Sequence, residues 1–413
     1  MHSDRNGAHT AVAIFVLQTM GSGVAVYGIP IYIAVFLRSG TVGAASLSLA
    51  STAFFITGAL SAPVVSRFGQ HNPIRALLAA VLTGTAAITA MAVHPSAPVV
   101  ITAFAALGAV FNGGFVVVGT AVLVRVFDGK PTAGMALSTS GASAGGILIA
   151  PLVALLLTTG PFHAGTFFVE AAGFLVVSCA ALMLGRRGTP PSAAVRTPAP
   201  GRSWLRLAPH WPLVAGFGLI SASQLGATSY MVATGLSRNF SGASLAVSVA
   251  TGVAVASRWI GSAGIRTFGL HRWTMFSFAL QVAGVAMIGL APAGWVLFTG
   301  AVLIGQSLGN TILIRSQVVV ELFGVDEFPP VFAQFQTWAT LGSAVGPFVL
   351  GQVFAASHDY TIAYLALCVI NAIALPCLLP WLRGSKTGGS KTGGSKTRTW
   401  SVDEPERTEG SPV

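Results

Sequence analysis

Between residues 11 and 382 the chain passes through twelve stretches of apolar and small residues, most of them longer than 18 positions and nearly free of charge. No other feature limits the fold so strongly. At about 1.5 Å of rise per residue, such a run crosses a hydrocarbon layer of about 30 Å. Inside that layer the backbone must satisfy its own hydrogen bonds, which leaves helices or a closed barrel. Continuous apolar runs, without alternation of period two, select helices. The predicted spans are 11–37, 43–66, 73–93, 97–127, 132–157, 161–184, 211–237, 242–268, 271–291, 294–320, 329–355 and 358–382. The expected fold is an all-α membrane protein of two six-helix bundles. Only 8% of the residues are charged, against roughly 25% in a soluble protein, so no separate soluble domain is expected.

The net charge of +11 does not indicate nucleic acid, because the basic residues sit in short loops between spans. With both termini in the cytoplasm, Arg67, Arg75, Arg125, Lys130, Arg266 and Arg272 fall in or beside cytoplasmic loops. So do Arg186, Arg187, Arg196, Arg202 and Arg206, while Arg38 and Arg238 fall outside. The opposite orientation inverts this ratio, so the positive-inside rule places the termini in the cytoplasm. A plasma membrane is the expected location. The first run is too long for a signal sequence and is expected to remain as the first span.

The domains are read as a bundle over 1–184, a proline-rich basic linker over 185–211, a second bundle over 212–382 and a tail over 383–413. The tail carries GSKTG GSKTG GSKTR, a composition that cannot bury a core and is expected to be disordered. The bundles are repeats. RFGQH at 67–71 returns as TFGLH at 267–271, ASLSLAS at 45–51 as ASLAVSV at 243–249, and Gly146 and Pro151 as Gly342 and Pro347. Order is kept, at spacings of 200, 198 and 196. Gly141 and Gly145, and Gly342 and Gly346, have the spacing that lets membrane helices approach closely.

Arg258 stands inside the eighth run, at a cost of about 2.5–3.5 kcal/mol or more in hydrocarbon. No acid lies within a helical turn of it, so contact with an anion in a watery central cavity is the favoured reading; satisfaction by helix carbonyls is the other. Arg315, in the tenth run, precedes Glu321 by one and a half turns. Pairing with that acid competes with a role beside Arg258 in an anion path. Uncharged polar residues offered for the cavity are Gln18 and Thr19, Asn112, Gln224 and Asn310, with Tyr27, Tyr230 and Phe335 as candidate walls. Each also suits ordinary interhelical packing. Glu170 is the one acid well inside a predicted span, near the outer face; a proton-linked role stands against a protonated or snorkelling glutamate. Arg125 is neutralised by Asp128 and headgroups. His71 and His271 occupy repeat-equivalent loops, where capping is the simpler role.

No phosphate-binding loop, HExxH, CxxC or Ser/His/Asp arrangement occurs, and Cys179, Cys368 and Cys377 lie singly in apolar runs. Neither an enzyme nor a metal or other cofactor is expected.

Twelve spans in two repeated halves around a basic central loop resemble the major facilitator superfamily, and GALSAPVVSRFGQHNPIRAL resembles its signature loop between spans two and three. Four segments resemble its monocarboxylate porter and oxalate/formate exchanger branch: YGIPIYIAVF, the stretch VLVRVFDGKPTAGMALSTSGASAGGILIAPLVALL, the signature loop, and SRWIG at 257–261. This resemblance implies alternating access and an eighth-span arginine, Arg258, that pairs with a substrate carboxylate. The chain departs from the group at Ile31, where a lysine is usual, and at Ala254, where an aspartate is usual. The eleventh span has Gln334 and Gln336 but no lysine, and the signature acid is replaced by Ser66 and, in the repeat, Arg266. A lysine–aspartate proton couple is therefore not implied.

The expected function is movement of a small organic anion, a carboxylate, with a coupling proton or counter-anion as the open question. The alternatives are efflux of a larger amphipathic or drug-like compound and, in another class, a non-transporting receptor on the same fold. A monomer in the lipid bilayer is expected.

Overall fold

The computed structural model describes residues 2–126, 140–158, 164–185, 207–324 and 328–384, and all its regular elements are helical. Residues 186–206 of the linker, 385–413 of the tail, and the Asp128 and Lys130 readings lie outside these residues. The first crossing is α1 (His2–Gly21), a π turn over Ser22–Val26, and α2 (Ile29–Ser39). Then come α3 (Ala44–His71) and α4 (Pro73–Val93). The fourth crossing is α5 (Ala97–Ala109), a π segment over Val110–Val118, and α6 (Gly119–Val126). The fifth ends in a π turn over Gly145–Ile149 and α7 (Ala150–Thr158), and the sixth is α8 (Ala164–Gly185).

The second bundle holds α9 (Trp211–Ser237), α10 (Ala246–Phe268), α11 (Leu270–Leu290) and α12 (Gly294–Phe323). Its eleventh crossing divides into α13 (Phe328–Ser343) and α14 (Val345–Ser357), and α15 (Tyr360–Gly384) is the twelfth. Among the described residues eleven segments are long and apolar enough to cross a membrane. The crossing not among them is α9, which carries Ser221, Ser223, Gln224, Thr228, Ser229 and Thr234, all buried. Its polarity is turned inward, not toward lipid.

Local sequence explains the ends and interruptions. Pro30 sits in the first turn of α2, and Gly40, with φ of 68°, closes it in the left-handed conformation, which glycine adopts without steric cost. Arg238 donates to the carbonyls of Ile288 (3.1 Å) and Ala291 (3.0 Å) at the end of α11, a cation where the helix dipole favours one. The Asp359 carboxylate accepts from Thr361 N–H at 2.7 Å and caps α15.

The bundles meet at the end of the molecule opposite the chain termini. There α2 packs on α9, α14 on α3, and the π turn at 145–149 and α7 on α10. Exchanging spans two with eight and five with eleven maps the last two contacts onto each other, as the repeat requires. One continuous core includes Ile29–Phe36 of the first bundle and Met231–Ala233, Val247 and Leu350 of the second. Hydrogen bonds join the same end: Gln352 Nε2 donates to Ala45 O (3.2 Å) and Ser48 Oγ (2.8 Å), and Thr52 to Ala344 O (3.3 Å). At the terminal end the second bundle has a separate core of Leu213, Phe217, Trp273, Val318, Phe335 and Trp381. The far end is closed by these contacts; on the terminal side the described contacts between the bundles are fewer, with α13 against α3 among them.

The paired glycines lie where backbones touch. A methyl group on Gly145 would overlap Ser22 and Thr19, and one on Gly346 would overlap the Ala222 carbonyl. Both are contacts between spans five and one, or eleven and seven. We therefore expect Gly346→Val to lower stability by ~1–3 kcal/mol or more through overpacking, measured as thermal unfolding in detergent. Gly173→Ala on α8, where a Cβ meets nothing within 4 Å, should be neutral or slightly stabilising.

Candidate functional site

A cavity of about 220 Å³ lies between the bundles. The first bundle contributes Tyr27 at the break between the π turn and α2, Phe54 and Phe55 on α3, and Phe111 and Asn112 on the π segment. The second contributes Ser221 and Gln224 on α9, Ala254 and Arg258 on α10, Thr311 and Arg315 on α12, and Gln336 and Thr340 on α13. One side is aromatic; the other is polar and doubly cationic.

Arg315 is buried. Its Nη1 donates to Gln336 Oε1 at 3.0 Å and its Nη2 to Ser221 Oγ, while Nε has no partner among the described residues. The anticipated partner Glu321 lies instead 3.7 Å from His271 Nε2, near the end of α12. His271 stacks on Trp381 with ring centroids 4.2 Å apart, so it holds helix ends together and does not cap a free loop. Seen along the helix, Arg315 and Glu321 are six residues apart, which turns them about 600° around the axis and leaves them about 120° apart, on different faces. Pairing with Glu321 is therefore excluded in this structure.

Arg258 is half-buried midway along α10. Among the described residues its guanidinium forms no hydrogen bond or ion pair, and it interacts electrostatically with the Tyr27 hydroxyl across the site, which also meets Thr251. The carboxylates described between residues 7 and 384 are Glu170, Glu321 and Asp359, and none lines the cavity. Two guanidiniums thus face one small space with only neutral oxygens for company.

Gln224 is positioned by a network buried within the second bundle. Its Nε2 donates to Ser307 Oγ (3.1 Å) and Gln281 Oε1 (3.3 Å); Gln281 Nε2 donates to Asn371 Oδ1 (3.1 Å), and Asn371 Nδ2 to Ser223 Oγ (2.6 Å). Gln281, Ser307 and Asn371 were not singled out from sequence. The only signal there is an amide or hydroxyl in an apolar run, and nothing in one dimension joins residues 57 to 148 positions apart.

Of the residues anticipated from sequence, the cavity brings together Arg258, Arg315, Tyr27, Asn112 and Gln224. Gln18 and Asn310 lie elsewhere. Gln18 donates to Phe115 O at 3.1 Å and Thr19 to Gly141 O at 3.1 Å, joining the first crossing to the fourth and fifth. Asn310 accepts from Trp273 Nε1 at 3.4 Å and donates to Gln306 O at 3.0 Å. Tyr230 is enclosed against Gly351, and Phe335 packs on Phe217 with centroids 5.6 Å apart. Glu170 is outside the cavity and does not snorkel: it is 6% exposed and accepts from the Tyr32 hydroxyl. A side chain bent toward α2 cannot also reach the surface.

No curated protein matches the sequence. Solved structures do match the fold. A bacterial homolog of the human lysosomal transporter Spinster, in an inward-facing and occupied conformation, aligns with a TM-score of 0.70 at 12% identity, covering 92% of this chain and 97% of that one. The nucleoside transporter NupG aligns with a TM-score of 0.69 at 10% identity, covering 91% and 99%. The sequence itself matches the Major Facilitator Superfamily over residues 11–347. Twelve crossings in two related bundles, a cavity between them and this match agree: the chain belongs to the major facilitator superfamily of membrane transporters and is not an enzyme.

Proposed function

We propose that this transporter carries a small organic anion, a carboxylate, through the cavity that holds Arg258 and Arg315. The observation that carries this reading is the charge balance of the site: two guanidiniums, no carboxylate, and a half-buried Arg258 with no protein partner among the described residues. Charges in a low-dielectric interior are tolerated when paired, and an anionic substrate is the missing counter-charge. Guanidinium groups also fit carboxylate geometry in a way an ammonium does not. The four segments that resemble the monocarboxylate branch support the same class.

The size of the cavity supports a small substrate. At about 220 Å³ it falls short of the ~300–1,000 Å³ usual for drug-sized ligands, which weighs against export of a large amphipathic compound. The two bundles that close on each other at one end and make fewer contacts at the other support alternating access, and a receptor has no need of that asymmetry. With the termini in the cytoplasm of a plasma-membrane protein, the state described is closed to the outside.

Two measurements test this. In proteoliposomes offered lactate, oxalate, succinate and a hydrophobic cation in turn, wild-type protein should carry at least one of the carboxylates and not the cation. Arg258→Gln and Arg315→Gln should each lower that uptake roughly tenfold or more, the consequence of losing a charge-assisted hydrogen bond of ~1.5–3 kcal/mol. Uptake unchanged in Arg258→Gln, or cation export with all three acids inert, sinks the anion reading. For orientation, a cysteine at exposed Thr41, with Cys179, Cys368 and Cys377 replaced by alanine, should react in intact cells with a thiol reagent that cannot cross the membrane. Reaction only after lysis reverses the topology.

A further inference from the structure

The anion site leaves one buried ionisable group unused. Glu170 sits in the second turn of α8, its side chain turned inward onto α2, where the Tyr32 hydroxyl donates to Oε1 and Oε2 has no partner among the described residues. The surroundings are aromatic: Tyr32 lies 5.8 Å from Phe167 and 6.1 Å from Phe104 between ring centroids, and Phe36 stacks on Phe167 at 5.7 Å.

Among the described residues no cation pairs with the carboxyl. The elements packed against α8 are α4, α1 and α7. Their titratable residues are Arg75 in the first turn of α4, with exposed His94 just past its other end, and His2, Asp4, Arg5 and His9 in the first half of α1; α7 has none. On α2 itself Arg38 lies six residues beyond Tyr32 and lines a cleft at the far end, with Asn239 and Tyr360 of the other bundle. None of these forms an ion pair with Glu170.

The partner helix is what gives this group a consequence. α2 is separated from α1 by the π turn and the Tyr27–Gly28 turn, so the two halves of the first crossing are distinct rods. One end of α2 starts beside Tyr27 in the cavity wall. Its other end packs on α9 and forms part of the seal at the far end. Tyr32 lies between, one and a half turns from Tyr27, and is fully buried. Hence a single short helix touches the substrate cavity, the seal and the buried carboxyl.

We propose that Glu170 and Tyr32 form a proton-binding site, separate from the anion cavity, whose occupancy favours the position of α2 that closes the far end. In the closed state the carboxyl is walled off from water and carries the proton. When α2 moves and the far end opens, the carboxyl meets water and releases the proton to that side. The proton is taken up again from the same side when the end closes, so the pH on that side sets the balance between the closed and open states. The closed state binds one proton more than the open one, so acid favours closure and alkali favours opening, as linkage requires. The proposal rests on alternating access but not on the identity of the substrate.

The test reads conformation first. Spin labels at Thr41→Cys and His358→Cys, both exposed and on opposite bundles at the far end, report its opening in lipid nanodiscs, with the native cysteines replaced. The distance between the labels should lengthen as the pH is raised from mildly acid to mildly alkaline. Glu170→Gln, which keeps the shape and the acceptor oxygen, should hold the short distance at every pH. Tyr32→Phe should move the midpoint of the change. A wild-type distance that ignores pH, or a Glu170→Gln response identical to wild type, overturns the proposal.

The transport arm uses the same lactate, oxalate and succinate panel. Glu170→Gln, held toward closure, should carry the anion more slowly than wild type and at a rate that no longer depends on the pH at the far side. If no anion is carried but the pH-dependent distance persists and depends on Glu170, the anion reading fails and the proton site stands. If an anion is carried and neither the pH at the far side nor Glu170→Gln alters its uptake, the proton site fails alone.

Discussion

A guanidinium cannot give up its proton, so an arginine in the middle of a membrane protein must be surrounded by something that accepts its charge. The centre of this structure is arranged around two of them. Arg315 is held by the Gln336 and Ser221 oxygens, and those residues sit on α13 and α9, so the charge ties three helices of one bundle together. Gln224, also on α9, is held in turn by Gln281 and, through it, Asn371. The second bundle therefore carries Arg315 on a stiff polar lattice, while Arg258 stands beside it on α10 without a hydrogen bond among the described residues. The facing wall of the first bundle is largely aromatic, with Phe54, Phe55 and Phe111, and supplies shape without competing charge.

A transporter of this kind must hold two packings close in energy, and the seal at the far end is made of weak terms. Gln352 and Thr52 donate to neutral oxygens of the opposite bundle, and hydrogen bonds of this sort in membranes average about 0.6 kcal/mol. The contacts of Gly145 and Gly346 are different, since they lie within the bundles and fix backbones at van der Waals distance, whereas Gly146 against Thr251 and Gly351 against Ser48 let the bundles approach each other at the seam. Rigid bundles with a lightly bonded seam between them move as bodies, which is the behaviour alternating access needs.

Much of the fold was legible because the membrane makes it so. Spans such as 73–93 and 271–291 coincide with α4 and, to within a residue at each end, α11, since apolar length decides where a helix can cross. The repeat was legible because the two halves keep residues at constant spacing. Legibility fell where a decision depended on which face of a helix a residue takes. Arg315 and Glu321 looked like partners by proximity along the chain, yet Glu321 turned to His271. Gln18 and Asn310 have the composition of cavity residues and instead bond helices to one another. The interruption of the first crossing at 22–28 had a signal that went unread: Pro30 cannot donate to the Val26 carbonyl and Gly28 precedes it, and close packing of Gly23 against Ile149 and Gly145 accompanies the turn.

The departures from the resembling branch are consistent with one another as physics. Ala254, in place of the usual aspartate, lines the cavity one turn from Arg258, and Ile31, in place of the usual lysine, is fully buried on α2. Had one alone been replaced, the other would stand as an isolated charge beside an apolar wall, which costs several kcal/mol. Replacing both removes a pair at little electrostatic cost and leaves Arg258 and Arg315 as the charges of the cavity. It also removes any acid there that could exchange protons. A chain built this way either moves its anion without protons or places the proton site elsewhere. The carboxyl at Glu170, bonded to the same helix that bears Ile31, is the described group with the position to serve.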